Sequence, residues 1–307
     1  MTQYIIRRLL QMIPITLGIL TLIFSLIHLI PGDPAMQIAG EGARPEDVAN
    51  VRKALGLDQP LWKQYVTYIT NLAKGDLGTS FRTGGSVARE IGARYPATMQ
   101  LAFGSMVVAL LVAFPLGIIS AIYRNSWIDN VARFFALIGV SMPSFWFGPL
   151  LIIAFAINRT WFPVSGREEG LRSLVLPSVT MGLALAAILT RMIRVSLADE
   201  LNQLYVTTAI AKGVTRAKAI FRHALKNALI PVITILALQF GSLLTGAIIT
   251  EQIFSWPGLG RLLIQSITTR DYPQVQASIL VIALTYIMVN FISDLLYGVV
   301  DPRIKLQ

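Results

Sequence analysis

The sequence predicts an all-α membrane protein that crosses the bilayer six times. Of its 307 residues, 54% are hydrophobic and only 14% are charged, and the mean hydropathy is +0.64. Soluble domains carry about 25% charged residues, so lipid is the main solvent of this chain. Six apolar runs are long enough to cross a hydrocarbon core of about 30 Å as helices: 9–30, 98–123, 131–157, 174–193, 229–254 and 275–300.

Helices, and not the strands of a barrel, fit these runs. In lipid every backbone N–H and C=O group needs a partner, which restricts spanning segments to helices and closed barrels. The strands of a barrel alternate between apolar and polar residues, whereas the six runs are apolar without alternation. The fold class is therefore a helical polytopic membrane protein.

The first run predicts a signal-anchor helix that stays in the mature protein. It follows the basic pair Arg7 and Arg8, as the apolar region of a cleaved signal peptide would. Such a region has about 7 to 15 residues, whereas this run has about 22. No small-residue cleavage site closes it, so we interpret it as the first membrane helix.

The short loops predict that both termini face the cytoplasm, because an excess of Lys and Arg marks that side of a membrane. With a cytoplasmic N-terminus, the outer short loops carry only Arg159, Arg167, Arg172, Arg261 and Arg270. The inner side then carries a larger set: Arg7, Arg8, Arg124, Arg133, Arg191, Arg194, Lys212, Arg216, Lys218, Arg222, Lys226, Arg303 and Lys305. The segment 31–96 is not counted, since long loops cross largely regardless of charge.

This topology divides the chain into a short N-terminus, an anchor helix, a long outer loop, a five-helix core and a short tail. The core contains one long inner connection, at 196–228. In order, the predicted parts are a cytoplasmic N-terminus at 1–8, the first helix at 9–30, a periplasmic loop at 31–97, the core at 98–300 and a cytoplasmic tail at 301–307.

The outer loop is predicted to hold an amphipathic helix between Leu55 and Gly75. Asp58 can cap this helix and Pro60 suits its first turn. Its apolar side chains recur at helical spacing: Leu61, Tyr65, Ile69 and Leu72. We expect the helix to rest on the outer face of the bundle; the alternative is a surface loop.

The inner connection is predicted to form two short helices that are broken at Gly213. The first has an apolar stripe of Leu197, Leu201, Leu204, Tyr205 and Thr208. The second has a stripe of Ala217, Ile220, Phe221, Ala224, Leu225 and Ala228, and Lys218, Arg222 and Lys226 line its other side. Because glycine permits a sharp reversal, the two helices form a hairpin. Its basic face fits an acidic partner or anionic lipid, and periodicity and charge leave both open.

Helix-breaking and polar residues within the apolar runs are the guide to a translocation pathway. Such residues bend helices or permit close approach: Pro115, Gly117, Gly139, Pro143, Pro149, Gly241 and Gly246. Gln239, Ser242 and Thr245 on the fifth run are the pathway candidates, although Ser242 and Gly246 also form a small-xxx-small pair of the kind used for helix packing. Glu251 and Asp294 lie near helix ends, which favours interfacial anchoring.

Motifs for catalysis and nucleotide binding are missing from the sequence. There is no cysteine, and the two histidines are His28 and His223. No G-x-x-x-x-G-K-[ST] phosphate loop, H-E-x-x-H pair or G-x-S-x-G elbow occurs. These observations argue against an enzyme and predict no cofactor or metal in this chain. A secondary, ion-coupled transporter is the main alternative, but buried carboxylates near mid-membrane are not evident.

Several motifs, taken in order along the chain, resemble those of ABC importer permeases. The segment 205–231 reads YVTTAIAKGVTRAKAIFRHALKNALIP and resembles their cytoplasmic coupling loop, in the branch that transports dipeptides, oligopeptides, nickel and glutathione. The other matching motifs are PGDP at 31–34, GDLGTS at 75–80, YPATMQLA at 95–102, FSWPGLGRLL at 254–263, RDYP at 270–273 and DPRI at 301–304.

The resemblance implies a type I importer permease of the bacterial inner membrane. It implies a second, homologous permease, two ATPase subunits that bind ATP and Mg²⁺, and an extracytoplasmic solute-binding protein; small peptides are the branch's commonest cargo. The coupling-loop residues that it assigns are Tyr205, Thr208, Ala209, Ala211, Lys212, Gly213, Arg222, His223, Leu225, Asn227 and Pro231. The sequence departs from the family pattern at Thr207, where an acidic residue is usual, and at Ser86, where proline is usual.

Overall fold

The computed structural model describes residues 2–29, 34–40, 42–54 and 56–300. Within these ranges all regular secondary-structure elements are helices, and a single isolated β-bridge joins Thr79 to Ser86. The tail at 301–307, with its DPRI motif, and the start of the PGDP motif lie outside the described residues.

The first helices come from the anchor and the outer loop. Their bounds are α1 Thr2–Leu29, α2 Pro34–Ala39, α3 Pro45–Ala54 and α4 Leu61–Ala73. The helices of the core and its connections follow: α5 Val87–Ile122, α6 Trp127–Ser141, α7 Ser144–Leu151 with a π-helical segment Ile152–Ile157, α8 Leu171–Leu201, α9 Leu204–Ala211, α10 Arg216–Lys218 with a π-helical segment Ala219–Ala224, α11 Leu225–Ile253, α12 Leu259–Thr268 and α13 Tyr272–Val300.

The described part of the chain has five helices that are long and apolar enough to cross a membrane, or six if one bent pair forms a single span. This confirms the predicted helical, multi-pass fold class. The five are Ile5–Ser25, Val87–Ile122, Leu171–Leu201, Arg216–Ile253 and Tyr272–Leu295, and the bent pair is Trp127–Gly139 with Ser144–Ile157.

The run 131–157 forms the bent pair, and Pro143, one of the predicted helix-bending residues, lies at the break. The two pieces of the pair meet at 102°. Met142 has φ −84° and ψ 115°, and Pro143 after it has φ −65° and ψ 136°, so both are extended. A proline disfavours the helical conformation in the residue before it, which explains why the helix ends at Ser141.

By its internal contacts the chain forms two units, Met1–Pro96 with Leu259–Ile287, and Ala97–Gly258 with Met288–Gln307. In the first unit, Leu20 and Ile23 of α1 pack with Leu280, and Tyr68 and Leu72 of α4 pack against them. The hydroxyls of Thr21 and Tyr65 lie 2.6 Å apart, in hydrogen-bonding contact. The amphipathic helix of the outer loop is thus docked on α1.

Two details of α4 differ from the prediction. The residue before its first turn is Pro60, so Asp58 lies too far upstream to cap it, and Leu61 is exposed. Tyr65, Ile69 and Leu72 are half-buried, as the helical spacing predicts. The first turn projects beyond the surface that the later turns cover.

The second unit is built around α8. Leu189 and Ile193 of this helix are fully buried, with Leu101 of α5 and Phe240 of α11 in the same cluster. Close approach depends on helical glycines. A Cβ on Gly117 would lie 2.7 Å from the Ile193 Cβ, and a Cβ on Gly182 would lie 2.6 Å from the carbonyl oxygen of Ser105. The glycines bring α5 and α8 nearer than alanine would permit.

Candidate functional site

The short helix α9 is closed by a tight C-terminal turn at Gly213. The Gly213 N–H donates to the carbonyl of Ile210 (2.9 Å), and the Val214 N–H donates to the carbonyl of Ala209 (3.1 Å). Gly213 has φ +89°. These are the paired hydrogen bonds and the left-handed residue of a Schellman motif. The sequence prediction of a break at Gly213 is therefore confirmed.

Val206 anchors α9 to the helices behind it. This side chain is buried in a cluster of small and apolar residues. Its neighbours come from α5, α8 and the helix after the turn: Ala121, Leu197, Ala198, Ala219, Ala224 and Ala228. Because most of these neighbours are alanines, α9 can pack closely although it buries only one of its own side chains.

Tyr205 joins α9 to the elements on both sides of it. Its hydroxyl donates to the carboxylate of Glu200 at the end of α8. The same hydroxyl accepts a hydrogen bond from Asn227 Nδ2 of α11, at 3.0 Å. Burial, together with the hydrogen bond to Glu200, raises the pKa of Tyr205. The side chain therefore stays protonated, and able to donate, across the physiological pH range.

The outward side of α9 and the following turns is apolar with a basic border. Leu204 is 84% exposed, and Ile210 and Phe221 are also exposed. The exposed cations nearby are Lys212, Arg216, Lys218 and Arg222. We call this the coupling surface: Leu204, Ile210, Phe221 and these four cations.

The two predicted apolar stripes are only partly buried, because Leu204, Tyr205 and Phe221 are exposed. The first stripe runs from Leu197 across a break at Asn202 and Gln203, and a helix that restarts after a break has a new phase. Val206 therefore becomes the buried residue of α9. In the second stripe Ile220 and Ala224 are buried, but the π-helical turn from Ala219 rotates Phe221 outward.

The other residues that the resemblance assigns lie on or beside α9. Thr208 donates its hydroxyl to the carbonyl of Leu204 within α9 (2.8 Å). Ala209 is half-buried and Ala211 is exposed. On the next helical segment His223 and Leu225 are half-buried. The assigned residues thus form one contiguous group around the turn.

The second short helix is continuous with the fifth membrane helix. From Arg216 to Ile253 the backbone stays helical over 38 residues, with the π-helical segment near its start. The sequence indicated that the fifth membrane helix begins at Pro231. In the structure Pro231 lies inside the helix. The π-helical turn just upstream changes the register of the backbone hydrogen bonds, which is one way in which a helix continues past irregular residues.

The pathway candidates lie on the exposed side of α11. Ser242 and Thr245 are exposed, as are Leu238 and Ile249, which lie on the same side of the helix at helical spacing. Gln239 beside them is half-buried. The opposite side of α11 buries Leu243, Leu244 and Ala247 in the core. A Cβ on Gly246 would come no closer than 3.9 Å to Met181, an ordinary contact distance, so Gly246 is not a point of unusually close approach.

A buried ion pair between Asp129 and Arg194 escaped the sequence reasoning. The guanidinium of Arg194 donates to both carboxylate oxygens of Asp129, each at 2.7 Å. Ser120 Oγ and the Asn125 N–H also donate to this carboxylate. The pair fastens the start of α6 and the end of α5 to α8. Asp129 is the only acidic residue in the predicted short loop 124–130, and this was the only sequence signal.

Glu251 is fully buried, and its surroundings differ from the interfacial position that the sequence favours. Its carboxylate accepts a hydrogen bond from Thr98 Oγ1, at 2.6 Å. A Cβ on Gly258 would lie 2.0 Å from Glu251 Oε1, so the chain of the FSWPGLG motif folds directly over the carboxylate. The Trp256 ring N–H donates to the carbonyl of Ala97, at 2.8 Å. The motif thus closes the outer end of α11 against α5.

Metal binding is not favoured by the arrangement of side chains. Across residues 2–29, 34–40, 42–54 and 56–300, no three His, Asp or Glu side chains lie together in a group that could hold an ion. The candidate site therefore consists of a protruding short helix, its hydrogen-bonded supports and the long helix that follows it.

Five or six apolar spans with one short, exposed helix between two of them define a polytopic helical membrane protein. Comparisons with known proteins narrow this class. Residues 113–306 match the family described as binding-protein-dependent transport system inner membrane component. Residues 1–102 match the N-terminal region of the membrane component of such systems.

Similar proteins span the whole chain. It is 44% identical over 305 residues to the glutathione transport system permease protein of Escherichia coli O6:H1, covering 99% of each chain. It is 42% identical over 332 residues to the dipeptide transport system permease protein of Alkalihalophilus pseudofirmus, covering 99% of this chain and 100% of that protein.

Solved structures share the fold. An inward-facing methionine ABC transporter chain superposes with a TM-score of 0.59 at 16% identity, covering 69% of this chain and 96% of that chain. A chain of an amino acid ABC transporter gives a TM-score of 0.52 at 17% identity, covering 68% of this chain and 94% of that chain.

The chain belongs to the family of inner-membrane permease components of binding-protein-dependent importers. It is a multi-pass inner-membrane protein of the ABC importer class, as the motifs predict. The family is one of transport components and not of enzymes. In general, such a permease works with a solute-binding protein, ATPase subunits and a second permease. The secondary-transporter alternative is not favoured.

Proposed function

We propose that this chain forms, with a second homologous permease, the translocation pathway for short peptides. The main support is the identity of 42% to 44% with permeases for dipeptides and for glutathione, itself a tripeptide, over essentially the whole chain. The exposed hydroxyls of Ser242 and Thr245 and the amide of Gln239 supply hydrogen-bonding groups on an otherwise apolar helix. Such groups suit a cargo whose backbone is polar.

The ATPase subunits, which bind ATP and Mg²⁺, supply the energy through the coupling surface. Leu204 and Ile210 are apolar side chains that a groove would cover, and the cations around them complement an acidic border. Arg222 and His223 hold the helical segment that follows the turn. We place the coupling surface in the cytoplasm and the segment 31–97 outside, where a solute-binding protein delivers the peptide.

Movement passes from α9 to the pathway along one helix. Closure of the ATPases pushes α9, and the hydrogen bonds of Tyr205 and the packing of Val206 carry the push to α8 and to the start of the 38-residue helix. Because the exposed pathway candidates lie on that same helix, the push alters the pathway between inward-open and outward-open arrangements.

The test is ATP-dependent uptake of a labelled dipeptide into vesicles that hold the complete importer. Gly213→Pro should abolish uptake while the chain still assembles in the membrane. Proline requires φ near −65° and has no N–H, whereas Gly213 has φ +89° and donates to Ile210. Uptake that continues without any ATPase subunit would contradict the proposal and favour an ion-coupled transporter.

A milder variant separates docking from folding. Leu204→Asn should weaken co-purification of the ATPase subunit, because the Leu204 side chain is 84% exposed and available to a partner. Leu171→Asn is the matched control, since Leu171 is 77% exposed at the other end of α8. Equal co-purification with the two variants would remove α9 from the ATPase interface.

A further inference from the structure

The first unit contains an open cavity of about 1030 Å³, which the loop 31–97 helps to line. Its walls come from α1, the segment between α3 and α4, α4 itself, the loop at 76–81 and the start of α13. Ligand pockets have volumes of about 300 to 1,000 Å³, so there is room for a peptide of a few residues. None of the pathway candidates on α11 lines this cavity.

The inner wall of the cavity is aromatic. Phe24, Tyr68, Phe81 and Tyr272 contribute to it. The Phe24 and Tyr68 rings lie 6.0 Å apart between centroids, which places two aromatic faces side by side. Aromatic walls with a few polar groups are typical of sites for small organic ligands.

Two tyrosine hydroxyls on this wall lack a hydrogen-bond partner. Tyr272 is only 5% exposed, and its hydroxyl and that of Tyr68 are both buried without a partner. Burial, with the neighbouring Tyr65, raises the pKa of Tyr68 to about 12, so this hydroxyl remains a donor. Because both hydroxyls are buried, the rings of Tyr68 and Tyr272, and not their hydroxyls, face the cavity.

The rim carries charges of both signs. Lys53 and Arg52 contribute cations at the end of α3, and Asp58 and Asp76 contribute carboxylates. The side-chain amides of Gln59, Gln64 and Asn71 lie between them on the lining. A ligand with one cationic and one anionic end therefore finds a complement for each.

We infer that this cavity binds a short peptide with free termini, its carboxylate toward Lys53 and its ammonium toward Asp58 and Asp76. The apolar side chains of the peptide would lie on the rings of Phe24, Tyr68 and Tyr272. The inference rests on the proposed peptide function. It adds a second peptide site, one that belongs to the permease and is separate from the α11 pathway.

The test measures binding of radiolabelled alanyl-alanine to the full importer complex in nanodiscs, without the solute-binding protein. Thr67→Trp should weaken binding by about tenfold or more, a loss of about 1.4 kcal/mol, because Thr67 lines the cavity and tryptophan would fill it. Thr70→Trp is the matched control. Thr70 is equally exposed on α4 but does not line the cavity.

A charge variant tests the orientation of the peptide. Lys53→Glu should weaken binding about tenfold or more, a loss of about 1.4 kcal/mol, since it removes a hydrogen bond to a charged group. Lys63→Glu, on the exposed side of α4 and away from the cavity, should leave binding unchanged. The wild-type complex should bind the N-acetylated, C-amidated dipeptide weakly. Its affinity should match that of Lys53→Glu for the unblocked dipeptide.

Uptake with the solute-binding protein, measured on the same preparation, separates the two proposals. Peptide uptake without direct binding to the permease would overturn the cavity site and leave the proposed function standing. Equal binding to wild type and Thr67→Trp would also overturn it, as would equal binding of the blocked peptide. Direct binding that Thr67→Trp removes and Thr70→Trp retains supports the site.

Discussion

At the scale of single residues, the Asp129 and Arg194 pair decides how the inner ends of three helices meet. Asp129 is fully buried and Arg194 is nearly so, and four donors converge on the one carboxylate. A carboxylate satisfied in this way is stable only with its partners in place, because a buried charge without a partner is far more costly than no charge at all.

Removing either partner should destabilise the chain. For Asp129→Asn and for Arg194→Met we expect a loss of about 3 kcal/mol in the free energy of unfolding, seen as a lower unfolding temperature in detergent. Arg133→Met is the control, because Arg133 is exposed and lies 3.6 Å from the same carboxylate; exposed pairs contribute about 0 to 1 kcal/mol. Equal effects of Arg133→Met and Arg194→Met would show that the buried pair has no special role.

At the scale of elements, helical glycines set the distance between α5 and α8. Gly182 faces the backbone of α5, so the oxygen that a new Cβ would meet cannot rotate away. The sequence indicated Gly117 and Gly246 as positions of close approach. Only the first proves to be one, since a Cβ on Gly246 would lie 3.9 Å from the Met181 side chain, an ordinary contact distance.

Gly182→Ala should separate α5 from α8 and lower stability by about 1 to 3 kcal/mol, the usual cost of overpacking. Gly246→Ala, also within a membrane helix, should be neutral or slightly stabilising, because alanine is the better helix former. Thermal unfolding of the two purified variants provides the comparison. A Gly182→Ala chain as stable as Gly246→Ala would mean that the helices adjust at no cost.

How far the sequence predicts these elements depends on how local their causes are. The turn at Gly213 and the bend at Pro143 were predictable, because each follows from the backbone of one residue type. The exposure of Leu204 was not, because the break at Asn202 resets the helical phase. The Asp129 and Arg194 pair joins residues 65 positions apart, and no periodicity can indicate which distant charges meet.

At the scale of the whole molecule, contacts between helices do not determine which ends of the helices face the cytoplasm. The six spans could be predicted from their length and hydropathy. The excess of Lys and Arg in one set of short loops predicts their orientation, and with it the placement of 196–228 in the cytoplasm and of 31–97 outside.

Labelling of introduced cysteines tests this orientation directly, because the natural chain has no cysteine. Lys218→Cys should react with a membrane-impermeant maleimide only after the cells are opened, whereas Lys63→Cys should react in cells with a permeabilised outer membrane. Both positions are exposed, so both should react in detergent. The reverse pattern would invert the topology and remove the coupling surface from the reach of cytoplasmic ATPases.

The uninterrupted helix from Arg216 to Ile253 has a mechanical consequence. Its 38 residues at 1.5 Å each give a rod of about 57 Å. Tilting such a rod by about 10° around one end carries the other end through about 10 Å. A modest swing beside Gly213 would thereby be amplified at the far end of the rod, and the π-helical turn at Ala219–Ala224 lies near the pivot of this movement.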